Sequence, residues 1–197
     1  ECGVEYVFME VSAHALHFGK VDGLRFEAGV FTNLTQDHLD FFGDMQSYGK
    51  AKAGLFGEGR CGIAVINSDD AFGVKLMSQC ANVHSYGLEN PADTFAVNLS
   101  ESIDGSDFII NINDELYDVH LNMPAVHNVY NALAAATCAR ALGINLETIA
   151  RGLGRLRGVA GRLEKVAEHN GGSIFVDFAH TPDGLEKCLC GLRQLCG

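Results

Sequence analysis

Glu10 closes the apolar run "VEYVFMEV" (Val4–Val11), and Asp37-His38-Leu39-Asp40 follow the next one, "FEAGVFTNL" (Phe26–Leu34). A third polar cluster, Asn67-Ser68-Asp69-Asp70, follows "CGIAVIN" (Cys61–Asn67). In open parallel α/β sheets, ligands sit beyond the carboxyl ends of the strands. Right-handed crossovers deliver successive strand ends to one edge of the sheet. A carboxylate and an imidazole meeting there suit a divalent cation. Magnesium in particular takes few protein ligands and completes its shell with water and phosphate oxygens. Glu10 and Asp37 also read as ordinary helix caps and His38 as a turn histidine, and spacing alone leaves both readings open.

Other residues raise weaker questions. Lys50 and Lys52 lie on the helix expected after that second loop, where lysines are ordinarily solvated surface charges. His14 and His17 form H-x-x-H on one helix face, with no third zinc ligand nearby in sequence. Asp177 and His180 flank the end of "FVDFAHTP", just before a helix N-terminus, a placement suited to ribose or phosphate contact and equally to a turn. Asn128 and Asn131 share a helix face, able to read an adenine edge or to cap and bridge helices. No G-x-S-x-G elbow supports serine-hydrolase chemistry. No G-x-x-x-x-G-K-[ST] loop is present, so a nucleotide enzyme would carry its phosphate loop upstream of Glu1.

The elements that must hold these residues read as α/β. Val4–Val11, Phe26–Leu34, Cys61–Asn67 and "ANVHSYGL" are strand-like, and the first three are apolar enough for a sheet covered on both faces. Helical stretches alternate with them: "SAHALHFGKV" capped by Ser12, parts of Asp37–Phe56, and "SDDAFGVKLMSQCA" capped by Ser68 or Asp69. That alternation argues for βαβ units and a parallel sheet. "DTFAVNLSESIDGSDFIININDELYDVHLN" then alternates polar with apolar residues around Asp104-Gly105 and Asn113-Asp114 turns, as antiparallel ribbons do. An alanine-rich helix follows from His127 and stops at Gly143, with a shorter one capped by Asn145. Beyond Arg162, a tight turn, a buried strand and a helix beginning near Thr181-Pro182 form one βα element, the expected opening of a further domain.

Composition narrows the partners. A net charge of −11 argues against a nucleic acid or an acidic membrane surface held by a basic face. Seven scattered cysteines without a C-x-x-C pair suit a reducing cytoplasm rather than a disulfide framework or a zinc knuckle. No apolar run reaches the length of about 18 residues that spans a bilayer. The opening "ECGVEYVFMEV" has no initiator methionine and enters strand-like sequence at once, as expected of a piece of a larger protein.

Taken in order, "MEVSAHAL", "VFTNLTQDHLDFFGDMQSYGKAKAGLF", "HNVYNALAAA", "GVAGRLEKV" and "FVDFAHTPDGLEK" resemble the Mur ligases, and most nearly the MurE type. The resemblance covers nearly the whole chain. It implies the later part of a central ATPase domain over 1–161 and the start of a Rossmann-like C-terminal domain over 162–197. The implied activity is ATP-driven amide ligation in peptidoglycan-precursor synthesis. A UDP-MurNAc-L-Ala-D-Glu carboxylate becomes an acyl phosphate, and the amine of diaminopimelate or lysine displaces phosphate. The implied enzyme is cytoplasmic and monomeric and uses ATP and Mg2+, and the present chain alone is expected to be inactive.

By the same resemblance Glu10 and His38 ligate magnesium, and Lys52 becomes carbamylated and supports the metal site. Ser12 contacts the UDP-linked dipeptide. Asn128 and Asn131 approach adenine, Arg162 reaches the nucleotide phosphates, and Asp177 and His180 supply the C-terminal side of the nucleotide site. Three positions depart from the pattern. Lys20 stands where the family carries a substrate-gripping arginine, keeping the charge without the bidentate fork. Phe18 replaces a polar contact of some members, and His127 stands where a phenylalanine is more usual. Rival readings are the MurF-type, folylpolyglutamate or cyanophycin ligases, a non-catalytic module of the same fold, and a magnesium-dependent phosphohydrolase.

Overall fold

The computed structural model describes residues 3–57 and 59–195. From the amino end, residues 3–12 are neither helix nor strand. The strand expected over Val4–Val11 therefore does not form: nothing among the described residues pairs with it, and Val4, Tyr6, Val7 and Phe8 remain exposed. An extended segment becomes a strand only when its N–H and C=O groups find a neighbour. Ser12 then accepts the Ala15 N–H at 3.1 Å and caps α1 (Ala13–His17) as expected.

β1 (Phe26–Phe31), β2 (Cys61–Asn67) and β3 (Val83–Gly87) pair in parallel, in spatial order. Between β1 and β2 run α2 (Leu39–Phe42) and α3 (Met45–Ala53), separated by Gly43 at φ 80°. Gly49, by contrast, sits inside α3, where a Cβ would meet the Phe72 ring at 2.5 Å. α4 (Ala71–Met77) follows β2 and is capped by Asp70, whose Oδ1 accepts the Phe72 and Gly73 N–H groups, not by Ser68 or Asp69.

β4 (Thr94–Ser102), β5 (Gly105–Ile112) and β6 (Glu115–Leu121) extend the same sheet. β4 pairs parallel to β3 at Tyr86↔Thr94, so only the β4–β5 and β5–β6 pairs are antiparallel. The result is a mostly parallel six-stranded sheet. α5 (Val126–Ala141) and α6 (Leu146–Arg155), the latter capped by Asn145, complete this unit.

Strand alternation places the core on both faces. On β2, Val65 joins Ile110, Leu121, Val129 and Leu133 in the main core, where α5 and α6 contribute, while Ala64 and Ile66 pack with Phe31 and Leu76 opposite.

β7 (Glu164–His169) and β8 (Gly172–Val176) form a separate two-stranded antiparallel sheet, followed by α7 (Pro182–Leu195). β8 is not the buried strand expected: Ile174 and Val176 are 47% and 46% exposed. A two-stranded ribbon buries an apolar face only when another layer covers it.

Candidate active site

A cavity of about 680 Å³ opens between residues 7–13, β1, the loop after it, and α3. Glu10, Ser12, Asp37, His38, Tyr48 and Lys52 all line it. The loop after β1 thus brings Asp37 and the His38 imidazole to the rim that Glu10 reaches from the irregular segment before α1. His38 begins α2 in the left-handed region (φ 54°, ψ 24°). Its N–H donates to Asp37 Oδ1 at 2.8 Å, and its Nε2 lies 3.5 Å from Asp37 Oδ2.

Lys52 points inward, unlike a solvated surface lysine. Its Nζ donates to the Asn33 carbonyl at 2.8 Å and lies 5.2 Å from the Tyr48 ring centroid. Burial pushes its ammonium below the ordinary lysine range, against the opposing pull of Asp70 and Asp37. Burial also raises the Tyr48 phenol, with Asp37 adding to the effect. Among the described residues, no three His, Cys, Asp or Glu side chains converge on a ready-made metal cage. A magnesium ion does not require one, because two protein ligands with water and phosphate oxygens suffice.

A second cavity, of about 580 Å³, lies on the other side of Glu10. Asn128, Asn131, Arg162 and Asp177 line it, with Lys187 and Cys188 from α7. Asn131 is exposed toward it, whereas Asn128 is buried and its Nδ2 donates to the Pro124 carbonyl at 2.8 Å. Arg162 packs its guanidinium 5.9 Å from the Phe178 ring centroid. Asp177 accepts the N–H groups of Leu163 and Ala179, both at 2.7 Å, and so fixes the turn that presents Arg162.

Two expected residues fall outside. Lys20, exposed beyond α1, lines neither cavity, and its backbone N–H is spent on the Ala15 carbonyl. His180 is also absent from both walls, with its Nδ1 3.0 Å from the Phe178 carbonyl oxygen. Each sits a short step along the chain from a residue that does reach a cavity, Leu16 and Ala179 respectively.

Sequence reading missed the network that holds this rim. Asp69 accepts the N–H groups of Leu88, Glu89 and Asn90 and the Tyr130 hydroxyl. Asp70 Oδ2 accepts the Leu34 N–H, Asn67 Nδ2 donates to the Thr32 carbonyl, and the Tyr86 hydroxyl donates to the Phe31 carbonyl. Three groups from β2, β3 and the turn after β2, namely Asn67, Tyr86 and Asp70, therefore pin residues 31–34, the same stretch that Lys52 holds at Asn33. The Asp-Asp pair after a strand was a visible signal, but it reads as a helix cap until the neighbouring loops are in place.

The model of the Mur ligase middle domain matches residues 1–139. The chain belongs to the Mur ligase family. Among the family's curated members, a UDP-N-acetylmuramoyl-L-alanyl-D-glutamate--2,6-diaminopimelate ligase of Gloeobacter violaceus is 47% identical over 98% of the chain. The chain spans about 40% of that relative's length. A solved Mur ligase of the same name superposes with a TM-score of 0.78 at 31% identity, covering 93% of this chain and 39% of that one. The MurF ligase of Thermotoga maritima, solved in complex with ADP, superposes with a TM-score of 0.77 over 93% of this chain and 42% of that one; at 21% identity this shows a shared Mur ligase fold.

Proposed function

We propose that this chain carries part of the catalytic centre of an ATP-dependent amide ligase that adds diaminopimelate to UDP-MurNAc-L-Ala-D-Glu. The relatives named for that reaction support the choice of amino acid. The observation that carries the reading is the place of Glu10. It lines both the cavity of His38 and Lys52 and the cavity of Asn131 and Arg162, a shared wall between a carboxylate-substrate side and a nucleotide side. On this reading residues 1–161 belong to the central domain and 162–197 begin the C-terminal one, and the protein works in the cytoplasm, where ATP is supplied. No described helix is long and apolar enough to cross a membrane.

The reaction must bring a substrate carboxylate against the γ-phosphate of ATP, two anions. Magnesium, when bound, would screen that repulsion, with Glu10 and His38 as its protein ligands. Lys52 as an ammonium cannot ligate a cation. Its burial enlarges the neutral fraction of the amine, whose lone pair can attack carbon dioxide, releasing a proton and leaving a carbamate anion. The one N–H that remains on Nζ can keep the Asn33 carbonyl as its acceptor, so the modification need not disturb the loop. Arg162 and Lys187 provide cationic charge for phosphate oxygens, and Asn131 an amide for a nucleobase edge.

In the protein encoded by the complete reading frame, Glu10→Gln is expected to lower ATP-dependent phosphate release by at least about a hundredfold when dipeptide substrate and diaminopimelate are supplied. Turnover equal to wild type would remove Glu10 from the metal site, and an absence of substrate-dependent phosphate release in wild type would end the ligase reading in favour of a scaffold of the same fold.

A further inference from the structure

The H-x-x-H pair of α1 joins no group of three His, Cys, Asp or Glu side chains among the described residues, and its rings pack instead against aromatic neighbours. His14 and His17, three residues apart, share a helix face. That face is turned onto α2: the His14 ring centroid lies 4.7 Å from Phe41 and 5.1 Å from Phe42, and His17 lies 5.2 Å from Phe41. His14 also meets the His38 ring at 4.7 Å with the planes at 86°. From the opposite element, Tyr48 of α3 meets the same ring at 5.9 Å and 84°. His38 therefore stands between two rings, one from each neighbouring helix.

His38 has little else to orient it. Its backbone is in the left-handed region, its side chain makes no cap, and its ring nitrogens make no hydrogen bond to a described residue within 3.5 Å that would fix the imidazole. The Asp37 carboxylate at 3.5 Å from Nε2 is at the limit of hydrogen bonding. The side chain is 44% exposed, so packing alone does not enclose it. Edge-to-face contacts have a preferred geometry and leave a ring nitrogen's proton and lone pair uncommitted.

We propose that His14 is a positioning residue: its ring holds the His38 imidazole at the cavity wall, ready for the cation. The cation's role rests on the ligase reading above; the orientation does not. The requirement on His14 is an aromatic ring, not a titrating nitrogen, so phenylalanine should replace it and a ringless side chain should not.

The test uses the protein of the complete reading frame. His14→Ala is expected to raise the Mg2+ concentration for half-maximal ATP turnover roughly three- to tenfold, with turnover at saturating Mg2+ retained. His14→Phe should stay within about twofold of wild type. A merely structural role would lower the active fraction without moving the Mg2+ dependence. Equal behaviour of the two variants, or no shift in either, overturns the proposal. In parallel, selectively labelled histidine rings are followed by NMR without metal. Loss of the nuclear Overhauser contact between the His38 and Tyr48 rings in His14→Ala, with retention in His14→Phe, supports it, and an unchanged contact in His14→Ala overturns it. If wild type shows no Mg2+-dependent turnover at all, the ligase reading fails while the His38–Tyr48 contact still decides the role of His14. Should His14→Ala not fold, His14→Leu keeps the volume and lacks the ring, and gives the same reading.

Discussion

Lys52 illustrates how its surroundings change the ionisation of one side chain. Its position on α3 was readable from the sequence, but its burial was not, because nothing local distinguishes it from Lys50 two residues earlier. The difference arises in three dimensions, where Lys52 reaches back across the sheet edge to Asn33 while Lys50 stays exposed. Since burial holds the Lys52 pKa below its unfolded value of about 10.4, the unfolded chain binds more protons between the two values. Stability therefore rises with pH across that window, and below it the full burial penalty persists. Comparing urea midpoints of wild type and Lys52→Met from about pH 8 to about 10.4 should show wild type gaining on the variant as pH rises. A constant difference would mean that Lys52 is no less hydrated in the fold than in the unfolded chain.

At the scale of elements, the strand ends are assembled by Asp69. Burial alone would raise this carboxyl, but the N–H groups of Leu88 and Asn90, the Tyr130 hydroxyl and the Glu89 N–H outweigh it and hold the pKa below the usual carboxylate range. Asp69→Asn keeps the shape and loses the charge, and is expected to cost about 2 kcal/mol at neutral pH. The wild-type advantage is present above the unfolded pKa of about 3.9 and is lost as pH falls through the folded value. Denaturation at neutral and acid pH checks both parts; a difference that persisted undiminished in acid would rule out the charge as the cause. This hub also marks the limit of what the sequence could reveal. β2 was legible to the residue, because seven apolar-rich positions between turn signals have one reading, and α5 and α6 were legible from alanine content and caps. Val4–Val11 looked equally strand-like, yet pattern reports only the wish for a partner, not its presence. The parallel β3–β4 pair was hidden because alternation on β4 reflects its wet face and says nothing about which neighbour it joins.

Across the whole molecule, α7 is held over the side proposed to take the nucleotide. The main core cluster contains no residue beyond α6; of residues 156–195, Leu163 is buried outside that cluster and the Leu156 carbonyl accepts from Asn122. Their ties are few: Lys165 Nζ donates to Asp104 Oδ1 at 2.8 Å in an exposed pair, worth little by itself. α7 also seats the buried Gly191 against Ala125. A Cβ on Gly191 would lie 3.0 Å from the Ala125 Cβ. Ala125 has little room to give, being buried, at φ 73°, and directly before α5. From this seat α7 directs Lys187, Cys190 and Gln194 over a further cavity of about 460 Å³ that it shares with His127, Tyr130 and Asn131 of α5. Burial lowers the His127 pKa, with Asp177 opposing and Lys187 reinforcing, so near neutral pH the imidazole meets this closed face uncharged. Gly191→Leu should therefore push α7 off α5 and open both α7-lined cavities while leaving the sheet and its core intact. In the complete protein, ADP affinity measured by calorimetric titration is expected to fall about tenfold, equivalent to about 1.4 kcal/mol, with the main unfolding transition unmoved. Unchanged affinity would mean that the nucleotide side does not depend on this contact. A collapse of the main transition would mean instead that α7 is part of the core's stability, contrary to the packing.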